Sequence, residues 1–600
     1  MLNKIITLAC ALFGVFSALS LETWLRSRIV KNSTTNGNYS ILRGRAREFW
    51  SIQYLPLILI LAAVGGLIAF VVKPINAAVF LAGAVLCFVS VAIGSRSVVT
   101  GSIASSSIAG TDDIRNSLKT AYRSAAVMGL SVSSIALIGL GVLFFFLDNK
   151  QLINMVACFG LGASITSFCL GISGTAFSGA YSLSVRKNDF TDYTGMFIGS
   201  GADYVETYIL SACAAALLAG VGVDTSGISS KFNATTAVRF PLVVLASGIV
   251  ASAIGIFAYR GRIVKNPAAG LTAGNFLAAA LIIGVTAYFS LDVMQSYIYA
   301  FCVAAGIVAS LISGEIMKIY SSDGVVFNKY VPKAKTVGAI QSVIYSLGIG
   351  MVSVFIPAAL ATVAMIVAYM FASYYGIALA AVGINSMAAV NSAARGFAIN
   401  TASASEIASI NDPDAESPNP ADVLLTASAR TDVIGKTYSA VSTYVTLVAL
   451  FTALSVVANN QSTLLLSTNV FTGMAIGAVF VFVCAGLIIR SIRITGQVLR
   501  ERLDDAYDSE KRISSLRGLV PLYVFALFVP AAAGALGGVN GLIAFACSAT
   551  ITGMCLLFTF NNSGKYFDRF AAETLGTVIK LMVAVTLVCA PVFMEFGGVF

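Results

Sequence analysis

Long apolar runs recur from one end of this chain to the other, and they constrain the fold more than any other feature. A helix of about 20 apolar residues crosses the ~30 Å hydrocarbon core of a bilayer. Charged residues make up only 11% of the 600 residues, well below the ~25% typical of soluble domains. A transmembrane β-barrel would instead show alternating segments of ~10 residues, and such segments do not dominate. The sequence therefore predicts an all-α, polytopic membrane protein that forms a single integral membrane domain over residues 1–600.

About sixteen segments have the length and hydropathy of a transmembrane helix. They are predicted near residues 2–21, 52–72, 75–95, 125–147, 152–185, 196–222, 238–259, 272–291, 293–314, 337–370, 374–398, 433–457, 467–490, 517–537, 539–560 and 571–594. The first could also be a signal peptide, because Lys4 precedes its apolar run. No small-x-small cleavage site follows that run, which favours a retained helix.

Basic residues are concentrated in alternate loops between these spans. Odd-numbered loops carry Arg and Lys, for example Arg45 in the first and Arg493 in the thirteenth, whereas even-numbered loops such as residues 148–150 are short and nearly neutral. The positive-inside rule places the odd loops in the cytoplasm, and sixteen spans then leave both termini on the non-cytoplasmic side. Topology thus explains the net charge of +10. Membrane lipid is the expected partner, and no nucleic acid is expected.

Several kinds of chemistry are disfavoured by the residues present. The chain has no histidine, and its ten cysteines form no CxxC motif. We interpret the cysteines as small packing residues, so neither a disulfide framework nor a His or Cys metal site is predicted. The acidic, Pro-rich segment at residues 411–421 is interpreted as a solvated connector.

Four ionisable residues inside predicted spans are candidates for buried charges. Asp203 and Glu206 occur in GSGADYVETY and share one helix face, because they are three residues apart. Lys580 lies near the middle of the last span, where an unpaired charge costs several kcal/mol. We therefore expect Lys580 to pair with Glu206 or Asp203. Lys436 lies near the start of the twelfth span, where it can either face inward or extend to the membrane surface.

Several stretches match the motifs of one known family in that family's order. The clearest are TAYRSAAVMGL at residues 120–130 (family TAFRSGAVMG), GSGADYVETY at 199–208 (GMGADLFESY), YYGIALAAVGINS at 374–386 (LYGIALAAVGMLS) and IKLMVAVTLVCAPVF at 579–593 (the final helix). The chain thus resembles the membrane-bound pyrophosphatases, which are pyrophosphate-energised proton and sodium pumps. The resemblance implies a homodimer, inner and outer helix rings, and a substrate site that opens to the cytoplasm. It also implies an ion gate formed by Asp203, Glu206 and Lys580.

The acidic motifs that bind magnesium pyrophosphate in that family are broken here. Arg186 stands where the family has its first Asp, Asp192 alone survives from DNVGDNVGD, and Asn561 replaces the Asp of WDNAKKY. Magnesium requires hard oxygen ligands, and the diphosphate charge must be neutralised. The remnant substrate cavity implied by the resemblance comprises Arg186, Lys187, Asp192, Asn400, Asp422, Lys436, Asn561, Asn562 and Lys565. Its basic residues could bind an anion without metal, although they are more simply interpreted as marking the cytoplasmic rim.

Losses at every acidic motif, beside a retained gate, favour a catalytically degenerate homologue with a non-hydrolytic role. It would be a structural or accessory subunit of a membrane assembly, either as a homodimer or within a larger complex. The alternatives are a pyrophosphate-energised proton or sodium pump and a passive ion carrier that uses the gate. Pyrophosphatase activity is expected to be lost, so no catalytic residue, metal site or cofactor is predicted. Only the pump would need magnesium.

Overall fold

The computed structural model describes most of the chain. The described residues are 2–28, 33–110, 113–146, 149–184, 193–221, 234–259, 267–321, 339–411, 419–458, 467–504, 519–562 and 572–596. Within these ranges the regular secondary structure is α-helical throughout, which confirms the predicted fold class.

The described residues form a series of helices along the chain. In the first half of the chain they are α1 (Leu2–Arg26), α2 (Ser33–Val71), α3 (Pro74–Ala109), α4 (Ile114–Phe146), α5 (Asn149–Ser184), α6 (Thr194–Val221), α7 (Ala234–Ala258), α8 (Pro267–Met294) and α9 (Ile298–Ser321). In the second half they are α10 (Ala339–Ser353), α11 (Phe355–Ser386), α12 (Ala388–Asn411), α13 (Pro420–Val457), α14 (Thr468–Asp504), α15 (Val520–Asn562) and α16 (Ala572–Phe596).

Fourteen helical segments among the described residues are long and apolar enough to cross a membrane. One of them spans Leu347–Ser386 and contains Ser373 with a φ of 49°. There the backbone of Gly376 lies against that of Ala368. Residues eight apart in a straight helix are separated by ~12 Å along the axis. The chain must therefore reverse direction at Ser373. The 13 residues that follow, up to Ser386, are too few to cross a bilayer alone, and the second crossing is completed by α12, which begins directly after Met387.

A second reversal occurs within α15. Gly538 has a φ of 61°, a left-handed conformation that glycine adopts without a steric penalty. A Cβ at Gly541 would lie 3.4 Å from the carbonyl oxygen of Ala533, so this helix also folds back on itself. The two hairpins add one crossing each to the fourteen apolar segments. The described helices therefore account for all sixteen predicted spans.

Several helix boundaries differ from the sequence prediction, and two of them have a clear physical reason. The ninth span was predicted from residue 293, but Gln295 adopts a positive φ and α9 begins at Ile298. This turn is closed by the Ser290 hydroxyl, which donates to the Ser296 carbonyl oxygen. Helix α2 begins at Ser33 rather than at residue 52. Its 39 residues exceed the ~20 needed to cross the bilayer, so the basic first part forms a helical extension.

The helices form a buried centre and an exposed periphery. The apolar windows of Met155–Gly179 in α5 and Thr194–Gly220 in α6 are completely buried, whereas those of Gly37–Val71 and Ala268–Met294 are 17% and 28% buried. Helices α5 and α6 approach closely because Gly174 and Gly195 face each other's backbone, where a Cβ on either residue would collide. Small residues permit such close approach in membrane helix packing. This contact fixes α6, which carries two of the candidate gate residues.

Candidate functional site

Helices α6 and α16 bring the three candidate gate residues together at the buried centre. Asp203 and Glu206 lie one helical turn apart on α6 and face the same neighbour. Lys580 reaches them from α16. Lys580 and Glu206 are 0% exposed and Asp203 is 2% exposed. The pairing expected for a charge at this depth is therefore present in the structure.

The ammonium group of Lys580 has four close oxygen neighbours. Its Nζ lies 2.5 Å from Asp203 Oδ1 and 3.3 Å from Glu206 Oε2. It also donates to Thr207 Oγ1 at 2.7 Å and to the carbonyl oxygen of Asp203 at 3.2 Å. Asp203 is thus the main partner of Lys580, and Glu206 forms a longer ion pair with the same ammonium.

The Glu206 carboxylate is less well satisfied than that of Asp203. Both of its oxygens lack a well-aligned hydrogen bond from the described residues. The hydroxyls of Ser164 and Ser167 on α5 lie beside it without good hydrogen-bond alignment. The cluster holds two carboxyl groups and one ammonium. When both carboxyl groups are ionised it has one excess negative charge, which a proton or a small cation would neutralise.

Helix α13 connects this cluster to a second group of polar residues. Ser439 donates its hydroxyl to Asp203 Oδ2 at 2.5 Å. The hydroxyl of Tyr204 donates to the carbonyl oxygen of Gly435 at 3.1 Å, and its ring stacks on that of Tyr438 with centroids 5.8 Å apart. These contacts hold α13 against α6 on the side that carries Asp203.

The second group is a buried ion-pair cluster around Asp432, which lies one helical turn before Lys436 on α13. Asp432 pairs with both Arg395 of α12 and Lys436 of α13. Arg395 is 2% exposed and Lys436 is 7% exposed. Lys436 therefore does not extend to the membrane surface. A burial this complete requires a partner, and Asp432 supplies it for both cations.

A small cavity lies between the two charged groups. Its lining includes Asp203, Lys436, Ser439 and Asn561. About 10 Å³ is open to the centre of a water molecule, which is about the minimum that holds one water. The cavity therefore connects Asp203 of the candidate gate with Lys436 and Asn561, two members of the predicted remnant cavity, through a space about one water wide.

The other remnant residues have structural contacts or fall outside the described chain. Asn400 donates its amide to the Ala121 carbonyl oxygen and to Ser124 Oγ, at 3.2 and 2.6 Å. Asp422 completes a capping box with Asn419 at the start of α13. Arg186, Lys187, Asp192 and Lys565 lie outside the described residues, as does the side chain of Asn562.

The described part of this region does not fit a magnesium site. Asp432 is neutralised by two cations, and the carboxylate of Asp422 accepts from the Asn419 backbone. Across the described residues, no three His, Cys, Asp or Glu side chains group so that they could hold a metal. A magnesium diphosphate would need several carboxylates that are free to ligate it. We therefore assign no magnesium ligand among these side chains.

The sequence analysis missed Arg395 and Asp432, although a signal for each was present. Arg395 falls inside the predicted span 374–398, where any ionisable residue is a candidate for a paired charge. Asp432 lies four residues before Lys436, the spacing at which a carboxylate meets a lysine on a helix.

Comparison with known proteins points to the same family as the sequence motifs. The family model described as inorganic H+ pyrophosphatase matches residues 12–183 and 188–571. A putative K(+)-stimulated pyrophosphate-energized sodium pump of Clostridium tetani is 25% identical, with 97% of each chain covered. A K(+)-insensitive pyrophosphate-energized proton pump of Methanosarcina mazei is 26% identical over 69% of this chain and 65% of its own. A putative K(+)-stimulated pyrophosphate-energized sodium pump of Bacteroides thetaiotaomicron is 24% identical, over 82% of this chain and 80% of its own.

Proposed function

The chain belongs to the inorganic H+ pyrophosphatase family of membrane proteins, and from that membership we propose that it moves a cation across the membrane through the gate of Asp203, Glu206 and Lys580. The observation that carries the proposal is the buried pairing of Lys580 with two carboxylates at 2.5 and 3.3 Å. Ionisable groups at this depth are expensive to bury and are typical of ion and proton paths.

The charge balance of the gate suggests how it would work. Lys580 neutralises one carboxylate permanently and leaves Glu206 as the group that can take up a proton or a monovalent cation. The small cavity lined by Asp203, Lys436 and Asn561 offers a route to the gate at Asp203, one helical turn from Glu206. The relatives are named as sodium pumps or as proton pumps, and both names agree with a cation as the transported species.

The energy source is the second part of the proposal. The relatives' names attribute pumping to pyrophosphate, and the Clostridium tetani relative aligns over 97% of this chain. That similarity favours a pyrophosphate-energised pump as the second candidate function. Against it, Arg186 stands at a metal-ligand position of the family motif and Asn561 replaces an Asp. We therefore propose a gate that operates without magnesium pyrophosphate hydrolysis.

A purely structural or accessory role is favoured by the sequence losses alone. A structural role would give the buried pairing of Lys580 no part in transport. For this reason we rank cation transport as the first candidate function. Assembly as a homodimer or within a larger membrane complex is compatible with either role. Purification in mild detergent, followed by identification of any co-purifying proteins, distinguishes the two assemblies.

We further propose that both termini lie on the non-cytoplasmic side. The reason is the concentration of Arg and Lys in the odd-numbered loops. In a variant whose ten native cysteines are replaced, single cysteines introduced by Phe600→Cys and Arg45→Cys should react with a membrane-impermeant reagent from opposite faces of oriented membrane vesicles. Labelling of both cysteines from the same face would contradict this topology.

The gate is tested by ion flux in liposomes that contain the purified protein. Under an imposed gradient, Glu206→Gln should lower proton or sodium flux by about tenfold or more, because a barrier change of ~1.4 kcal/mol already alters a rate tenfold. Glu315→Gln is the matched control. Glu315 pairs with Lys318 at 2.6 Å, and its side chain is 28% exposed, away from the gate. Equal flux through the wild type and Glu206→Gln would remove the gate from the proposal.

A further inference from the structure

A second polar cavity lies apart from the gate, where the ends of three helices meet. It has a volume of about 550 Å³. Its lining residues are Asp113, Arg115, Asn116, Lys119, Arg123 and Phe257. The first five belong to the start of α4 and the residue before it, and Phe257 lies at the end of α7. The end of α1 adjoins the cavity, because Arg123 stacks on Trp24 with its guanidinium carbon 4.8 Å from the ring centroid.

The described lining of this cavity is basic. Arg115, Lys119 and Arg123 contribute three positive charges, and Asp113 contributes one negative charge. The Asp113 carboxylate also accepts from the backbone N–H and the side-chain amide of Asn116, at 3.1 and 2.5 Å. Asp113 therefore caps the start of α4 as well as lining the cavity. Basic side chains thus outnumber acidic ones in this lining.

Trp24 brings a further cation close to Arg123. The guanidinium carbon of Arg28 lies 5.1 Å from the same indole centroid. Two guanidinium groups on one ring repel each other, and the Arg123 Nε is buried without a hydrogen-bond partner. The neighbouring Arg26 instead pairs with Glu22 at 2.5 Å. A bound anion would relieve the repulsion, and a guanidinium donates two parallel hydrogen bonds to a phosphate.

The surroundings of the cavity place it next to lipid. Phe257 and Ile254 on α7 are 43% and 47% exposed, and Phe16 on α1 is 73% exposed. These apolar side chains lie on the membrane-spanning parts of helices whose ends form the cavity. Trp24 lies at the end of α1, and tryptophan is enriched at the membrane–water interface. The three helix ends adjoin the first, third and seventh loops, which all carry basic residues.

We propose that this cavity binds the phosphate headgroup of an anionic phospholipid from the cytoplasmic leaflet. Arg123 and Lys119 bind the phosphate, and the acyl chains lie along Ile254 and Phe257. The bound lipid joins α1, α4 and α7 at their cytoplasmic ends. Basic cavities between transmembrane helices on the cytoplasmic side suit anionic headgroups, and the apolar residues beside the opening favour a lipid over free phosphate.

Native mass spectrometry of the full chain in detergent tests this site with three probes: phosphatidylglycerol, phosphatidylcholine and inorganic phosphate. Phosphatidylglycerol should bind the wild type in preference to phosphatidylcholine. The double variant Arg123→Gln/Lys119→Gln should weaken phosphatidylglycerol binding by about thirtyfold, since each basic residue near the membrane surface contributes about fivefold. Arg493→Gln is the matched control, because it removes an exposed cation outside this cavity, and it should bind as the wild type does.

The charge-conserving double variant Arg123→Lys/Lys119→Arg keeps the test interpretable if the glutamine variant is unstable. It should retain most of the phosphatidylglycerol binding. Equal phosphatidylglycerol binding by the wild type and the glutamine variant would overturn the site. A charge-conserving variant that loses as much binding as the glutamine variant would also overturn it. Full displacement of phosphatidylglycerol by millimolar inorganic phosphate would overturn the assignment to a lipid.

Discussion

Replacing Lys580 by methionine should destabilise the protein by about 3–5 kcal/mol, the cost of leaving a buried charge without its partner. In the wild type the ammonium lies 2.5 Å from Asp203 and 3.3 Å from Glu206. Methionine has a similar length but no charge, so both carboxyl groups would lose their cation in a completely buried position. Thermal unfolding of the purified protein in detergent measures the effect.

Two further variants separate the charge from the packing. Lys580→Met combined with Asp203→Asn should recover part of the lost stability, because the second change removes the carboxylate nearest to Lys580. Lys318→Met is the control, since Lys318 and Glu315 form a pair with side chains 20% and 28% exposed. Such a pair contributes at most about 1 kcal/mol. A Lys580→Met protein as stable as the wild type would show that the ion pair is dispensable for folding.

The second large effect is an expected absence of pyrophosphatase activity. Phosphoryl transfer to water needs metals that bridge the phosphate oxygens and a base that positions the water. The family motifs supply these as Asp residues, whereas this sequence has Arg186, Asn188 and Met196 at three such positions. Asn offers a neutral oxygen, and Arg186 repels a divalent cation. We therefore expect no magnesium-dependent phosphate release from the purified protein above a membrane blank.

The positive control for that assay is the proton pump of Methanosarcina mazei, prepared in the same way. Asp192 provides the critical variant, because it alone survives from the DNVGDNVGD motif. Hydrolysis by the wild type that is abolished in Asp192→Ala would show that the remaining carboxylates still assemble a catalytic site. The protein would then be a pyrophosphate-energised pump, as its relatives are named.

Most of the fold could be predicted from the sequence, because the bilayer sets the length of every crossing. Each predicted span corresponds to a described helical segment, including the two pairs joined at Ser373 and Gly538. The short connections there leave no loop with a strong charge signal. The reversals were nevertheless predictable, since a single apolar run of 42 residues, as at Val520–Asn561, is about twice the length that the membrane requires.

The candidate gate was predictable as a set of residues but not in its detailed pairing. The cost of a buried charge requires that Lys580 meet a carboxylate, and Asp203 and Glu206 share one helix face. Which of them lies closer depends on the rotation of α6 against α16. That rotation is set by contacts such as the one between Gly174 and Gly195, which periodicity does not reveal.

The pairing of Arg395 with Asp432 was harder to foresee. The two residues lie on α12 and α13, and their contact depends on how these helices pack. The sequence shows only that both are ionisable, with Arg395 inside a predicted span and Asp432 directly before one. The pairing also changes the interpretation of Lys436. This lysine binds the same Asp432 carboxylate, so it belongs to a buried three-residue cluster rather than to the cytoplasmic rim.

The central claim is that the gate passes a cation without using pyrophosphate, and ion flux in proteoliposomes tests it most directly. Flux would be recorded under an imposed gradient, first without and then with magnesium pyrophosphate on the face that carries the odd-numbered loops. The proposal predicts gradient-driven flux that depends on Glu206 and is unchanged by magnesium pyrophosphate. Ion accumulation against the gradient upon addition of magnesium pyrophosphate would contradict it.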